Sequence, residues 1–524
     1  MKKLLFSVIV FVVAAFLLTS CNGNQNDQSS TTDPNVKSYQ ITEYVDGVEA
    51  PAFVKKGNYV VYVKSSDDSR WFAWDYENWE IKTPDEALEY SVYFFKVDRL
   101  FESVEDLENA NDLTLNMLVG TKSYYATLGR GAAIYEIVAE KPSTSGSIKL
   151  DSLYAGLRPF EVNGEKIITV DQFGTYGDGE TADQRRINKA FEFVADVIEF
   201  ESSVYMQENT ITLNHGDVRL NGKGAEIRNR YEKAVVNIDF QITGSSFDAR
   251  IENIVIENLT LKCTESRGQG ALYNERDHFQ LDSNYTKNLT IQNCKFLVPE
   301  HVSESSELHV TSVSLHNGIN TLFENNTVIN LSKSTAYSGG VWFWSDNDNL
   351  DHVSENLVVR NNYIEKSSHD EVLAFFHGTF NNITVENNEI FTYDEPSDHA
   401  SAHAIGFGVF DVPTTVKNVT FSNNSVDVVC NRDIFIFSDV ENIKIFDNEL
   451  IARNNTSSEP IMYGVFRVAF DKKNYDSAGI SPSQNNIEIY GNTVKVYNPT
   501  EVPMNYNCNE GFDFHDNTFE YIPS

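Results

Sequence analysis

The chain has 524 residues, with 41 Lys and Arg against 76 Asp and Glu, for a formal net charge of −35 at pH 7. That balance excludes a nucleic-acid partner, whose phosphates need a basic stripe. It leaves a solvated acidic surface with room for a local basic cleft. The length permits two or three domains, and 25 Tyr with 34 Phe supply a large core.

At the start, Lys2 and Lys3 precede an apolar run from Leu4 to Leu18, short for a membrane span. The run closes as Leu18-Thr19-Ser20-Cys21. This resembles a bacterial lipoprotein signal, with cleavage just before Cys21. The resemblance implies removal of residues 1–20, lipid attachment at Cys21, and a place in the cell envelope. The outer membrane is expected, on its periplasmic or surface face. Several acyl chains together give stable anchoring. The polar residues 21–36 then read as a flexible tether to the membrane.

Residues 37–165 read as a β-rich domain. Tyr59 to Val63 and Ala132 to Val138 are short apolar strands, and the carboxylate-rich stretch Glu102 to Asn111 is a candidate helix. The cluster Trp71, Trp74, Tyr76 and Trp79 has two readings, a surface that stacks on sugar rings or hinge packing.

From there on a short pattern recurs: Asn, apolar, x, apolar, x, Asn or Asp, Asn, x, apolar. Its fullest copy runs from Asn382 to Ile390, and others start at Asn253, Asn288, Asn320, Asn356, Asn418, Asn442, Asn486 and Gly511. Successive starts lie 24 to 44 residues apart. Each copy holds one strand of period two, and strands repeated in one direction stack as a parallel solenoid. Nine such rungs make a rod about 40 Å long at roughly 4.8 Å per rung. The seventh slot reads Leu259, Cys294, Asn326, Asn362, Asn388, Asn424, Asn448, Asn492 and Asn517. A side-chain amide both donates and accepts, so amides one rung apart can bond into a ladder. Asn also tolerates the left-handed backbone of a tight turn. The uneven spacing implies loops outside the coil, where binding sites usually lie. Cys263 and Cys294 read as buried thiols, and no Cys-x-x-Cys spacing marks a metal site.

Ahead of the repeat stands Thr169 to Gly179, containing Phe173-Gly174 and Gly177-Asp178-Gly179, followed by Asp183. Ile187, Ala190, Phe191, Val194 and Ile198 then recur at three and four, as one helix face. Gly222-Lys-Gly224 follows. This series resembles the entry module of the pectate lyase-like right-handed parallel β-helix superfamily. The resemblance implies an all-β fold over residues 166–524 with about nine or more coils and an N-terminal capping helix. The sequence departs from the module in carrying Ala182 where a second acidic residue is common.

A second strand precedes each Asn motif. Five of these can be aligned: Gly339 to Trp344, Asp370 to Phe375, Ala402 to Phe407, Arg432 to Phe437 and Tyr463 to Val468. The alignment predicts Trp342, Leu373, Ile405, Phe435 and Phe466 inward, with Trp344, Phe375, Phe407, Phe437 and Val468. It predicts Phe343, Arg467, Asp370 and Arg432 outward. Asp370, Glu371, His403, Arg432 and Asp433 then gather within three rungs, either as a site or as a structural ion-pair network.

The order resembles the polygalacturonase-type glycoside hydrolases, in which an Asp-Asp pair, a Gly-His-Gly turn and an Arg-x-Lys segment follow on successive coils. Here Asp370-Glu371, Ala402-His403-Ala404 and Arg432-Asp433 stand at those places. Gly339-Gly340 occupies the place of a further catalytic Asp, and no Lys follows Arg432. Glycosidic hydrolysis needs one protonated and one ionised carboxyl. Asp370 or Glu371 and Asp433, two rungs apart, are about 9–10 Å from each other, at the wide edge of the inverting range. His403 can relay a proton, while Arg432, Arg467 and Phe343 are expected to hold substrate. The expectation is a polysaccharide-degrading lipoprotein acting on an extended, uronate-containing or neutral glycan, with hydrolase ahead of lyase. No cofactor is required for hydrolysis, and Ca²⁺ enters if the chemistry is a lyase's. The alternative is a non-catalytic glycan-binding or structural coil. The number of copies in the assembly is left open.

Overall fold

The computed structural model of the chain describes residues 36–41, 57–64, 69–75, 90–229, 238–263, 277–299, 309–331, 338–345, 349, 351–366, 371–392, 403–408, 413–429, 433–453, 465–468, 472–479, 481–497 and 511–522. The expected signal peptide 1–20, Cys21 and all of the expected tether except Val36 fall outside them.

Three long sheets carry the repeat. The first has 13 strands, from Phe160–Val162 to Phe512–His515; the second has 12, from Asp178–Ala182 to Thr518–Ile522; the third has nine, from Ile211–Leu213 to Phe466–Val468. Within the coil each strand pairs in parallel with the equivalent strand one repeat later, as in Leu357 to Ile383 to Val419 to Ile443 to Ile487 to Phe512. The period-two pattern thus lines one column with aliphatic side chains, and these form one continuous core. The architecture is a parallel, β-helix-like stack.

The structure separates two properties that the sequence reading had joined in one Asn. The first of each Asn pair takes the left-handed conformation: Asn325, Asn361, Asn387 and Asn423 have φ near 55°. The second forms the buried ladder. Asn362 Nδ2 donates to Asn388 Oδ1, Asn388 to Asn424, Asn424 to Asn448, Asn448 to Asn492 and Asn492 to Asn517, at 2.9 to 3.1 Å. The Asn that opens each motif does both on the surface. Asn288 donates to Asn253, Asn320 to Asn288, Asn356 to Asn320 and Asn382 to Asn356, each with positive φ. Cys263 and Cys294 are buried, and burial pushes the Cys294 thiol up to about 12.

The amphipathic segment is shorter than its apolar spacing suggested. The helix is Gln184–Phe191 and buries Ile187, Ala190 and Phe191 in the coil core. Val194 is 72% exposed, and Ile198 belongs to the strand Val197–Glu199. The helix stops at Glu192, and the later residues keep the spacing by chance. Glu102 to Asn111 does contain a helix, Val104–Glu108, capped by the Ser103 hydroxyl.

Residues before the coil form a four-stranded antiparallel sheet, Val36–Ile41, Asn58–Lys64, Ser69–Asp75 and Tyr90–Val97, and a five-stranded sheet from Arg99–Phe101 to Tyr154–Arg158. Their apolar residues join those of the coil. Val60, Tyr62, Phe95, Phe160, Ile167 and Val197 pack in one cluster. A buried polar network holds the same junction. Asp171 accepts from Tyr205 Oη (2.5 Å), Thr175 Oγ1 (3.0 Å) and the Glu201 amide (3.1 Å), and lies 3.1 Å from Arg130 Nε. Glu201 accepts from Thr169 Oγ1 (2.6 Å) and the Gly131 amide (3.1 Å). Burial, and then the neighbouring Asp171 carboxylate, push Glu201 up to about 8.

Candidate functional site on the third sheet

The third sheet orders the strands that the sequence had aligned. Leu373 pairs with Ile405, which pairs with Phe435, then Phe466; Phe375, Phe407, Phe437 and Val468 form the next inward column. One rung departs from the expected alignment. Val341, not Trp342, pairs with Leu373, and Phe343 pairs with Phe375. A slip of one residue turns a whole strand over. Phe343 therefore lies inside, 1% exposed and stacked 4.8 Å from Phe375, and is not placed to touch substrate. Trp342 and Trp344 take the outward positions instead and form an outer cluster with Ala374 and Phe376. The two glycines at the place of the catalytic Asp suit this arrangement. A Cβ at Gly339 would meet the Trp342 indole at 2.3 Å, and one at Gly340 would meet the Val372 carbonyl at 2.4 Å.

Asp370 and Arg432 fall outside the described residues, as do the side chain of His403 and those of Trp71 and Trp74. The His403 backbone begins the strand His403–Phe407 and pairs with Asp433 on the next rung. Glu371 is half-buried just before Leu373–Phe376, and its carbonyl accepts from Trp342 Nε1 at 3.0 Å. Its side chain runs over the small residues of the outer face. A Cβ built at Gly406 would stand 3.4 Å from Glu371 Cγ and 3.6 Å from Ala374 Cβ. Asp433 is 0% exposed, and its Oδ2 lies 3.5 Å from Arg467 Nη1. Two residues expected to face substrate separately are thus paired with each other.

Further ionisable and aromatic residues lie one to three rungs before the strand that Glu371 precedes, on the same sheet. Asp282, Ser314 and Trp342 form one outward column, and Asn284, His316, Trp344 and Phe376 form the next. His316 Nε2 is 3.1 Å from Asp282 Oδ1 and 2.7 Å from Ser314 Oγ. Both contacts use one nitrogen, whereas a nucleophilic relay places the hydroxyl and carboxylate on opposite ones. Ser314 is also buried. The trio fixes the imidazole rather than activating the hydroxyl. The His316 ring stacks on Trp344 at 5.2 Å, and Trp344 meets Phe376 at 4.1 Å and His377 at 4.5 Å. Extending the strand alignment back to Asp277–Asn284 and His309–His316 is the signal that finds this part of the face. Small, aromatic and ionisable side chains thus share one stripe along the coil, which suits an extended polyhydroxylated chain better than a compact ligand. Among the described residues, no group of three or more His, Cys, Asp or Glu is placed to hold a metal ion.

No family model matches the sequence, and no curated protein matches it. Solved structures are similar at low identity. The Dettilon tailspike protein is 14% identical over 68% of each chain, with a TM-score of 0.40. The Streptococcus pneumoniae surface protein and adhesin PfbA is 12% identical over 68% of this chain and 97% of its own, with a TM-score of 0.39. The Yersinia enterocolitica family 28 exopolygalacturonase is 10% identical over 71% and 79%, with a TM-score of 0.40.

Proposed function

We propose that this chain is a lipid-anchored envelope protein whose coil is right-handed and capped by the helix Gln184–Phe191. In this reading it binds and cleaves a polysaccharide laid along the outer face of the third sheet. The observation that carries it is the stripe itself. Glu371 lies beside Ala374 and Gly406, with the half-buried Trp344 and the buried Trp342 and Phe376 on one side and the buried Asp433 with Arg467 on the other. A sugar chain has ring faces that pack on aromatic surface and hydroxyls that meet carboxylates and imidazoles. Hydrolysis would use Glu371 or Asp370 with Asp433 as the acid–base pair, His403 as relay and Arg432 as a substrate contact, with no cofactor. A lyase would instead neutralise a uronate carboxylate with Ca²⁺ or Arg432.

The Asp433–Arg467 pair favours a second reading, a non-catalytic glycan binder, because it neutralises one of the two carboxyls that hydrolysis needs. The test uses the soluble form starting after Cys21 with neutral and acidic polysaccharides. Reducing ends and the ultraviolet absorbance of an unsaturated uronate are followed together. Reducing ends alone mean hydrolase, both signals mean lyase, and binding without either means the binder.

A further inference from the structure

The turns from the third sheet to the first are short on two neighbouring rungs, with Tyr285 alone between Asn284 and Thr286, and Asn317-Gly318 between His316 and Ile319. Longer connections bracket them, residues 244–250 on one side and 345–352 on the other. The two connections touch across the gap: Phe247 stacks on His352 with ring centres 3.9 Å apart and planes within 5°. Phe247 and His352, one from each connection, form an arch. Arg250 sits beneath it, its guanidinium 4.1 Å over Phe247. Arg250 Nη1 donates to the Asn317 carbonyl and, at 3.4 Å, to that of Thr286.

These contacts leave polar atoms unspent. Among the described residues, Arg250 Nη2 and Asn317 Oδ1 are enclosed and have no hydrogen-bond partner. Trp344 Nε1 is in the same condition. An enclosed donor on a cation, left without an acceptor, carries a desolvation penalty that an anion would relieve. Burial also pulls the Arg250 guanidinium below its ordinary value. In a chain of net charge −35, this corner gathers Arg250, His316, His352 and His377, with Asp248 and Glu355 near Arg250 and Asp282 3.1 Å from His316.

We propose that the arched corner is a subsite for one anionic sugar unit, whose carboxylate or sulfate ester meets Arg250 and whose ring edge meets His316 and Trp344. This rests on the reading that the third-sheet face handles a polysaccharide. Arg250 stands at the turn after the strand Ile238–Thr243, four rungs before the strand Leu373–Phe376 that Glu371 precedes, so it selects substrate without taking part in bond cleavage.

The test is calorimetric titration of the soluble form with oligosaccharides of matched length carrying carboxylates, sulfates or neither. Wild type binds one anionic set at least about tenfold more tightly than the neutral set, as one charge-assisted bond implies, and added salt weakens that preference. R250A abolishes it. R250Q, whose amide can still donate to the Asn317 carbonyl, abolishes it with the fold retained, which covers the case of a misfolded R250A. E371Q keeps it. Which anionic set binds separates carboxylate from sulfate. Equal binding of neutral and anionic sets by wild type and R250Q means the arch encloses structural water only; it overturns the subsite and leaves the polysaccharide reading standing. No binding of any saccharide by any form overturns both.

Discussion

Glu201 offers the sharpest check on the junction between the N-terminal sheets and the coil. Its carboxyl is half-buried, accepts from Thr169 and Gly131, and lies beside Asp171. Its ordinary value is 4.5, and it is pushed up to about 8 in the fold. A group raised on folding binds its proton more tightly in the native state. Stability from this source is therefore complete below about pH 4.5 and is lost as pH rises towards 8. The interval corresponds to ~5 kcal/mol at about 1.4 kcal/mol per pH unit, large against a typical net stability of roughly 5–15 kcal/mol. Glu201→Gln removes the titration; its one amide oxygen can still accept from the Gly131 amide, while its NH2 turns to Thr169 Oγ1, which can accept in place of donating. Urea unfolding of the soluble form at pH 5, 6.5 and 8 measures the effect. The wild type should lose stability relative to E201Q across that range, by up to ~1.4 kcal/mol per pH unit. A difference between the two proteins that stays constant from pH 5 to 8 would refute the reasoning, because a neutral amide cannot share a proton-linked slope.

Perturbations at four other positions probe the coil and its face. Asn388 donates to Asn424, accepts from Asn362 and reaches the Val359 carbonyl. Asn388→Ala should cost about 2–4 kcal/mol by orphaning these groups; Asn388→Asp should cost more at pH 7 and recover part on acidification, seen in urea midpoints. Phe343→Ala, in the stack with Phe375, should cost about 3–5 kcal/mol, and an unchanged melting temperature would place the ring outside the core. Glu371→Gln should abolish glycan turnover and keep affinity. Asp433→Asn leaves Arg467 short of its partner and should cost about 3–5 kcal/mol in stability; loss of turnover with no loss of stability would make Asp433 chemical rather than structural.

The sequence reading and the structure agree where the chain is constant and part where it is not. From the strand Ile251–Glu257 onward, two residues separate each first-sheet strand from the second-sheet strand that follows: Asn258-Leu259, Asn293-Cys294, Asn325-Asn326, Asn361-Asn362, Asn387-Asn388, Asn423-Asn424, Asp447-Asn448, Gly491-Asn492 and Asp516-Asn517. A fixed turn carries the phase of one strand into the next, so the Asn motif predicts both sheets, their inward columns and the buried ladder. Third-sheet strands have no such tie. The chain between Thr392 and His403 has ten residues, and that between Val429 and Asp433 has three. Phase does not survive a connection of variable length. That is why Gly339 to Trp344 aligns plausibly with its neighbours one residue out of register, and why Phe343 and Trp342 exchange sides.

The same contrast bears on function. The corner between the first and second sheets is closed by a turn that cannot vary without breaking the ladder, so it has little freedom to shape a ligand site. The third sheet is bordered by variable connections at both of its corners, including residues 244–250 and 345–352. Insertions there change what projects beside the outer face and leave the rungs in register, the condition under which a rigid scaffold can carry a specific site. The positions hardest to read from periodicity are therefore the ones that distinguish this coil from any other: Trp342 and Trp344 facing outward, Glu371 over Gly406, and Arg250 beneath the Phe247–His352 arch. Placing these residues required knowing which strand each connection leads to, and the repeat alone does not contain that.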